Sequence, residues 1–329
     1  MKSVENTGQP AVTQIKKFSP LTTCWVCGGH QFDRVHEAIF EFALYREQDP
    51  ELADYTGEQI WLHRCKACGF GQPELMPTLP NYFDRMYDQH WSHDWIASEF
   101  EAPYKDYIFH GILDRLSRLT ASASSRRLLD IGAHVGRFIH LAKQAGWAVE
   151  GVELNPRTAA FAAQKTDAPI HRVPVQALSQ SGRRYDVITL TDVLEHIPDP
   201  LPLLAALHDL LEPGGWVAVK VPHGRNQRFK ERWRARLCRD YRPQVADNLV
   251  HVNHFTPQSL SRGLAKTGYT TIRIEPGAPE LVPSPECRGV VQPFSRGVRM
   301  AFYNAARLLP GGVNSPFAMN LQAYAQKAL

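Results

Sequence analysis

No window of the 329-residue chain approaches about eighteen consecutive uncharged apolar residues, and the opening stretch MKSVENTGQP lacks the apolar segment of a signal peptide. Both absences lead to the expectation of a cytoplasmic protein without a membrane span. Neither sign of charge dominates. The 37 Lys and Arg face 33 Asp and Glu, and a net charge of +4 is too mild to imply nucleic acid or a membrane surface as partner. With 43% hydrophobic and 21% charged residues, the chain is neither collagen-like nor wholly disordered. Cysteine is scarce, six in all, which suits thiols or metal ligands better than a disulfide scaffold in a chain of this length. At about 150 residues per domain there is room for roughly two domains.

Four of the cysteines come in two matched turns. Cys24-Trp25-Val26-Cys27 and Cys65-Lys66-Ala67-Cys68 lie 37 residues apart, and each is followed by a glycine, Gly28 and Gly69. Cysteines three apart aim both sulfurs at one point only on a tight turn, and glycine supplies the backbone freedom that turn needs. Two such turns make a closed four-cysteine zinc site on Cys24, Cys27, Cys65 and Cys68, structural because no coordination position is left open. A redox C-x-x-C does not explain the second copy, and unconnected buried thiols do not explain the matched glycines. Residues 1–20 show no apolar period and read as a flexible arm. Residues 21–75 form a small module that metal would stabilise, and 76–124 a helical connector. Cys238 and Cys287 read as packing residues.

From about Ser125 the pattern becomes strand alternating with helix. Arg126 to Ile131 reads as a buried strand, Gly132 to Gly136 as a glycine turn, and Phe138, Ile139, Ala142 and Ala145 as the apolar face of a helix stopped at Gly146. A second strand, Trp147 to Leu154, carries Glu153, 21 positions after Gly132. Such a unit places a ligand on the N–H groups of the turn and a ribose diol on the carboxylate. A dinucleotide fingerprint needs a third glycine where Arg137 stands. Asp130, closing the first strand, suits a ligand with positive charge near the turn, such as an amino acid moiety or sulfonium. The rhythm continues through a helix capped at Asp199, a strand from Trp216 to Val221, a helix from Thr256 to Lys266 and a strand from Tyr269 to Ile274.

LLDIGAHVGRF, GVELNP, YDVITLTDVLEHIPDP and LLEPGGWVAVKVP resemble, in order over residues 126 to about 222, the motifs of class I S-adenosylmethionine-dependent methyltransferases. The resemblance implies an α/β, Rossmann-like doubly wound sheet over 125–275. It also implies that Asp130, Gly132 and Gly136 shape the cofactor turn, that Glu153 binds the ribose, and that Thr191 and Asp192 flank the methionine moiety. The family usually has glycine where this chain has His134, a residue that tolerates positive φ better than most. The acidic residue that often holds the adenine amine is missing from Val175 to Leu178, leaving Gln176 or a backbone group.

Two places carry candidate chemistry. Asp192, Glu195 and His196 resemble a run that ubiquinone-biosynthesis O-methyltransferases associate with a divalent metal such as Mg²⁺, although the same side chains also suit helix caps and pocket walls. His251 and His254 precede a Pro-initiated helix. His251 reads as a general base with a near-neutral pKa, and His254 as the residue that holds the loop. The layout of cysteine module, tyrosine-bearing connector (Tyr82, Tyr87), core and histidine loop is similar to deoxysugar C-methyltransferases, with Asn253 where those have glutamate.

Residues 223–250 read as a basic amphipathic lid, with Phe229, Trp233, Leu237 and Tyr241 on one face. Its basic side suits phosphates of a nucleotide-linked substrate, a membrane surface or water. Residues 276–329 read as a helical cover. The expectation is transfer of a methyl group to the oxygen or carbon of a sugar, nucleotide-sugar or natural-product intermediate. The rival is an RNA- or protein-directed factor, disfavoured because Thr191-Asp192-Val193-Leu194 stands where N-methyltransferases carry an N/D-P-P-Y/F tetrapeptide.

Overall fold

The computed structural model describes residues 17–88, 93–121, 125–237, 247–281 and 291–329. Most of the expected arm, together with Cys238, Tyr241 and Cys287, lies outside them, as does the side chain of Tyr87. The N-terminal part carries β1 (Phe18–Pro20), β2 (Phe32–Ile39), helix α1 (Pro50–Ala53), β3 (Gln59–Cys65), β4 (Gly71–Pro73) and β5 (Leu75–Pro77). β2, β3 and β4 form an antiparallel sheet, and β1 pairs with β5. Three connector helices follow, α2 (Tyr82–Asp88), α3 (His93–Glu101) and α4 (Asp106–Leu119).

The alternating pattern then builds β6 (Arg127–Ile131), α5 (Arg137–Gln144), β7 (Ala148–Val152), α6 (Pro156–Thr166), β8 (Ile170–His171), α7 (Val175–Ser179), β9 (Tyr185–Thr191), α8 (Pro200–Leu210) and β10 (Leu211–Pro222). After α9 (Gly224–Leu237) and α10 (Pro257–Lys266) come β11 (Tyr269–Gly277), α11 (Val291–Leu308) and β12 (Asn320–Lys327). The seven-stranded sheet runs β11-β12-β10-β9-β6-β7-β8. β6 lies between its parallel partners β7 and β9, so the strand order reverses there, where an open α/β sheet leaves its ligand crevice.

Local chemistry explains the element starts. Asn155 accepts from the N–H groups of Arg157 (2.9 Å) and Thr158 (3.3 Å), and Pro156 opens α6. Thr256 and Ser259 form a reciprocal capping box on α10. Asp199 sits at the start of α8 in a left-handed conformation but makes no side-chain cap bond, contrary to its expected role. Helices cover both faces of the sheet. Apolar residues of α4 and α5 bury one face, and those of α7, α8 and α10 bury the other.

Two sequence expectations are corrected. The end of the chain is not helical: after α11 it returns as β12, antiparallel to both β10 and β11 and inserted between them. Nor is the cysteine module a separate body. Cys24, Val26, Cys65, Cys68 and Phe70 belong to the same apolar cluster as Leu204, Phe255 and Leu264. Gly71 and His254 exchange backbone hydrogen bonds of 3.0 and 2.9 Å, and the Thr256 hydroxyl donates to the Cys68 carbonyl (3.2 Å).

Candidate functional site

At the carboxyl ends of β6, β7 and β9 lies a cavity of about 540 Å³. Asp130, Gly132, His134, Glu153, Thr191 and Asp192 all line it, so six of the seven residues assigned to the cofactor from sequence share one wall system. Gly136, the seventh, shapes the turn from behind as the N-cap of α5. The turn requires its glycines. Gly132 has φ 71° and a Cβ there would meet Val193 at 2.5 Å, while Gly136 has φ 82° and faces Thr166 at 2.9 Å. His134 holds φ 52° between them, with its ring edge-on to Trp95 at 5.3 Å. Burial lowers its imidazole pKa to about 4, so it is neutral at pH 7.

Glu153 is anchored from both sides, accepting from the His134 N–H (2.8 Å) and the Asn155 N–H (2.9 Å). Burial raises its pKa. Asp130 accepts from the Thr189 hydroxyl at 2.7 Å, and burial, reinforced by Glu153, pushes its carboxyl up to about 7. The Thr191 hydroxyl is buried with no hydrogen-bond partner among the described residues, an orphan polar group on the cavity wall. These features suit a ligand with a diol and a cation. Gln176 is exposed and does not line this cavity.

Asp192 does not serve the role expected of it beside Glu195 and His196. It adopts φ 58° and accepts from Lys220 at 2.5 Å and Lys105 at 3.3 Å. Burial opposes its ionisation, but the two ammonium groups outweigh burial and bring its pKa down to about 2. Glu280 joins at 3.4 Å from Lys220 and 3.7 Å from Lys105. This network walls off a second cavity of about 410 Å³, lined by Glu195, Lys220, Gln227, His251 and Arg299 among others. The two cavities share Lys105, Asp192 and His196.

The histidine loop is docked on the turn after β9. Val252 and Asn253 donate their N–H groups to the Glu195 carbonyl (2.9 and 3.0 Å), and the Asn253 amide donates to the carbonyls of Leu194 (2.8 Å) and Ile197 (2.6 Å). Asn253 is therefore a tether, and it brings the His251 ring within 4.7 Å of the His196 ring. Gln227 of α9 bridges the loop's two imidazoles, 3.3 Å from His251 Nδ1 and 3.0 Å from His254 Nδ1. A carboxamide donates at one end and accepts at the other, so it imposes opposite tautomers on the two rings. The near-neutral pKa expected of His251 is not what its surroundings give: burial, with His196 adding, lowers it to about 3. His254 is buried and bonded to the N-terminal sheet, a position that suits the loop-holding role.

Among the described residues, two donor sets converge. The sulfurs of Cys24, Cys27, Cys65 and Cys68 all lie within 4.8 Å of one another, with Cys24 to Cys68 at 3.7 Å and Cys27 to Cys65 at 3.5 Å. Zn–S bonds of about 2.3 Å in a tetrahedron put sulfurs about 3.8 Å apart, so the four fit zinc. Glu195, His196 and His251 also bring one ligand atom each within 4.8 Å. His196 Nδ1 donates to the Val250 carbonyl (2.5 Å), which puts the ring's lone pair on Nε2, and Glu195 Oε2 is buried with no hydrogen-bond partner among the described residues. These residues fit a divalent ion, with His251 in the place expected of Asp192. Two imidazoles and a carboxylate suit Zn²⁺, Mn²⁺ or Fe²⁺ better than oxygen-seeking Mg²⁺.

Sequence reasoning missed the contribution of the connector: Met86, Trp95, Tyr104 and Lys105 line the first cavity. Tyr82 of the connector packs in the core, the helix-face role its position also suits, with its hydroxyl donating to the Asn248 carbonyl at 2.8 Å. Lys220 carried a visible signal, a lysine inside the apolar strand run WVAVKVP.

Curated relatives share the core. The chain is 32% identical to a ubiquinone biosynthesis O-methyltransferase of Bordetella avium over 111 residues, 32% of this chain and 46% of that enzyme. It is 36% identical to the enzyme of the same name from Ruegeria pomeroyi over 118 residues, 33% and 48% respectively. The chain thus spans about half the length of these relatives. Among solved structures, the plantazolicin methyltransferase BamL, in complex with a triazolic desmethylPZN analog and SAH, aligns with a TM-score of 0.50 at 12% identity, covering 76% of this chain and 96% of that one. That is a likeness of fold. A family model described as a methyltransferase domain matches residues 104–274, just over half of the chain, from the start of the connector's last helix through the sixth strand of the sheet in chain order. The chain belongs to this methyltransferase domain family.

Proposed function

We propose that the protein transfers the methyl group of S-adenosylmethionine to a small-molecule acceptor held in the second cavity. The observation that carries this reading is the pair of cavities meeting at Lys105, Asp192 and His196, one walled by the glycine turn and Glu153, the other by the histidine loop. S-adenosylmethionine, when bound, supplies an electrophilic methyl on a sulfonium. Glu153 holds the ribose hydroxyls, Asp130 supplies negative charge near the turn, and the Thr191 hydroxyl finds a partner in the ligand. The acceptor is oriented across the shared wall, where in-line approach to the methyl carbon is a matter of positioning. Its proton goes to the group formed by Glu195, His196 and His251. A divalent ion on these residues would acidify a coordinated hydroxyl. The four cysteines would hold a structural zinc, and the module is bonded to the histidine loop through Gly71 and Cys68.

The relatives' names favour an oxygen acceptor. A sugar or nucleotide-linked acceptor rests on the layout of the chain and on the cationic Lys220, Lys230 and Arg299 around the second cavity. The test is incubation with S-adenosylmethionine labelled in the methyl group and a panel of phenols, hydroxylated small molecules and nucleotide sugars. Acceptor-dependent label in a small product is expected. Label recovered only in RNA or protein would contradict the reading.

A further inference from the structure

On the face of α9 turned away from Gln227 lies a third cavity, about 490 Å³, between that helix and the strands β2 and β3. Five guanidinium groups line it: Arg34 and Arg64 from the strands, and Arg225, Arg228 and Arg232 from the helix. The strand arginines are spent. Arg64 donates to Asp33 at 2.6 Å and Arg34 to Glu74 at 2.8 Å, and Asp33 is shared with Lys66 at 3.4 Å. The helix arginines are not. Arg225 reaches only the neutral Asn314 carbonyl (3.3 Å), and Arg228 and Arg232 have no hydrogen-bond or ion-pair partner among the described residues.

Spacings of three and four residues put these three charges on one helix face, where like charges repel and weaken the helix. Burial, together with Arg64, Arg225 and Arg232, lowers the pKa of half-buried Arg228 to about 10. A basic face with only a structural role would be laced with carboxylates. Here the half-buried Arg228 and the exposed Arg225 and Arg232 have no carboxylate partner among the described residues, and the lining carboxylate Asp33 is taken by Arg64 and Lys66. Phe229, 45% exposed, lines the same cavity and offers an apolar ring face beside the charges.

We propose that this groove binds the paired phosphoryl groups of an organic diphosphate, with Arg225, Arg228 and Arg232 on the phosphate oxygens and Phe229 under the organic portion. Forked guanidinium donors match phosphate oxygens in number and geometry, and three positive charges match a diphosphate better than a monophosphate. The groove shares no lining residue with the two cavities of the methyl-transfer reading and does not depend on that reading.

Titration calorimetry with inorganic pyrophosphate, UDP and UMP tests it on the full chain. UDP is expected to bind best, pyrophosphate more weakly because it leaves Phe229 uncovered, and UMP at least about tenfold more weakly than UDP. Arg228→Gln with Arg232→Gln should weaken UDP binding by about a hundredfold or more, while S-adenosylhomocysteine affinity stays unchanged. Without ligand the double variant should melt no lower than the parent, since repulsion is removed. No heat with UDP or pyrophosphate at millimolar concentration, equal binding to the double variant, or a lower melting temperature for it would each overturn the proposal. So would binding of single-stranded RNA or anionic vesicles without binding of UDP.

Discussion

Asp130 is buried and, among the described residues, its carboxyl accepts from the Thr189 hydroxyl alone, and its pKa of about 7 is well above the unfolded value of about 4. The folded chain therefore holds this proton more tightly than the unfolded chain, and Asp130 costs stability progressively as pH rises from about 4 to about 7. A cationic cofactor beside it favours the carboxylate. Binding of S-adenosylmethionine at about pH 6 should then release a proton, and affinity should rise with pH towards about 7. Calorimetry in two buffers of different ionisation enthalpy reads this directly, and a binding heat independent of buffer would remove Asp130 from the site. His251 raises a different question, because burial leaves its imidazole neutral and a poor proton store. A ligand role also needs the Gln227 carboxamide turned, so that His251 Nδ1–H donates to its oxygen and Nε2 carries the lone pair. His251→Ala should lower turnover by ~10² to 10⁴ with cofactor affinity nearly unchanged. If the residue acts as a ligand, a chelator should reproduce that loss, and Zn²⁺ or Mn²⁺ should restore activity in the parent but not in the variant. Loss without chelator sensitivity would return His251 to the role of base.

At the scale of elements, the strands β6, β7 and β10 and the helices α5 and α8 were legible because each is a short buried apolar run or a periodic helix bounded by Gly, Pro or a capping side chain, whereas α6 and α7 were not read. β12 was not legible either. Its sequence NLQAYAQK is rich in Ala, Gln and Leu, good helix formers, and only its position between β10 and β11 makes it a strand. The strand side of the cavity wall was legible in the glycine turn and Glu153, whereas Lys105 and Trp95 were not, because they reach the site from the connector that precedes the recognisable pattern. Lys220 illustrates how a strand can carry a functional group inward: its stem is buried in β10 while its ammonium meets Asp192. Lys220→Met removes one partner of a buried charge pair and should cost on the order of 3 kcal/mol, measured by urea unfolding. A loss below about 1 kcal/mol would show that Lys105 alone holds Asp192.

At the scale of the whole molecule, the cysteine cluster and the histidine loop are one structure. The bonds Gly71–His254 and Thr256–Cys68 carry the disturbance of a Cys65→Ser substitution into the loop that positions His251. The variant should lose one zinc per chain by elemental analysis and increase hydrogen exchange in residues 250–256 as well as near the cysteines. Exchange confined to residues 21–75 would separate the two. The central claim, a methyl-donor site at the reversal in strand order, is tested most directly by titrating S-adenosylmethionine into the purified chain and its Glu153→Ala variant. The expected result is one site per chain, with affinity lower in the variant by ~1.5 to 3 kcal/mol, about tenfold or more, because the carboxylate proposed to meet the ribose hydroxyls is gone. No binding to the parent chain, or equal affinity in the variant, would contradict it.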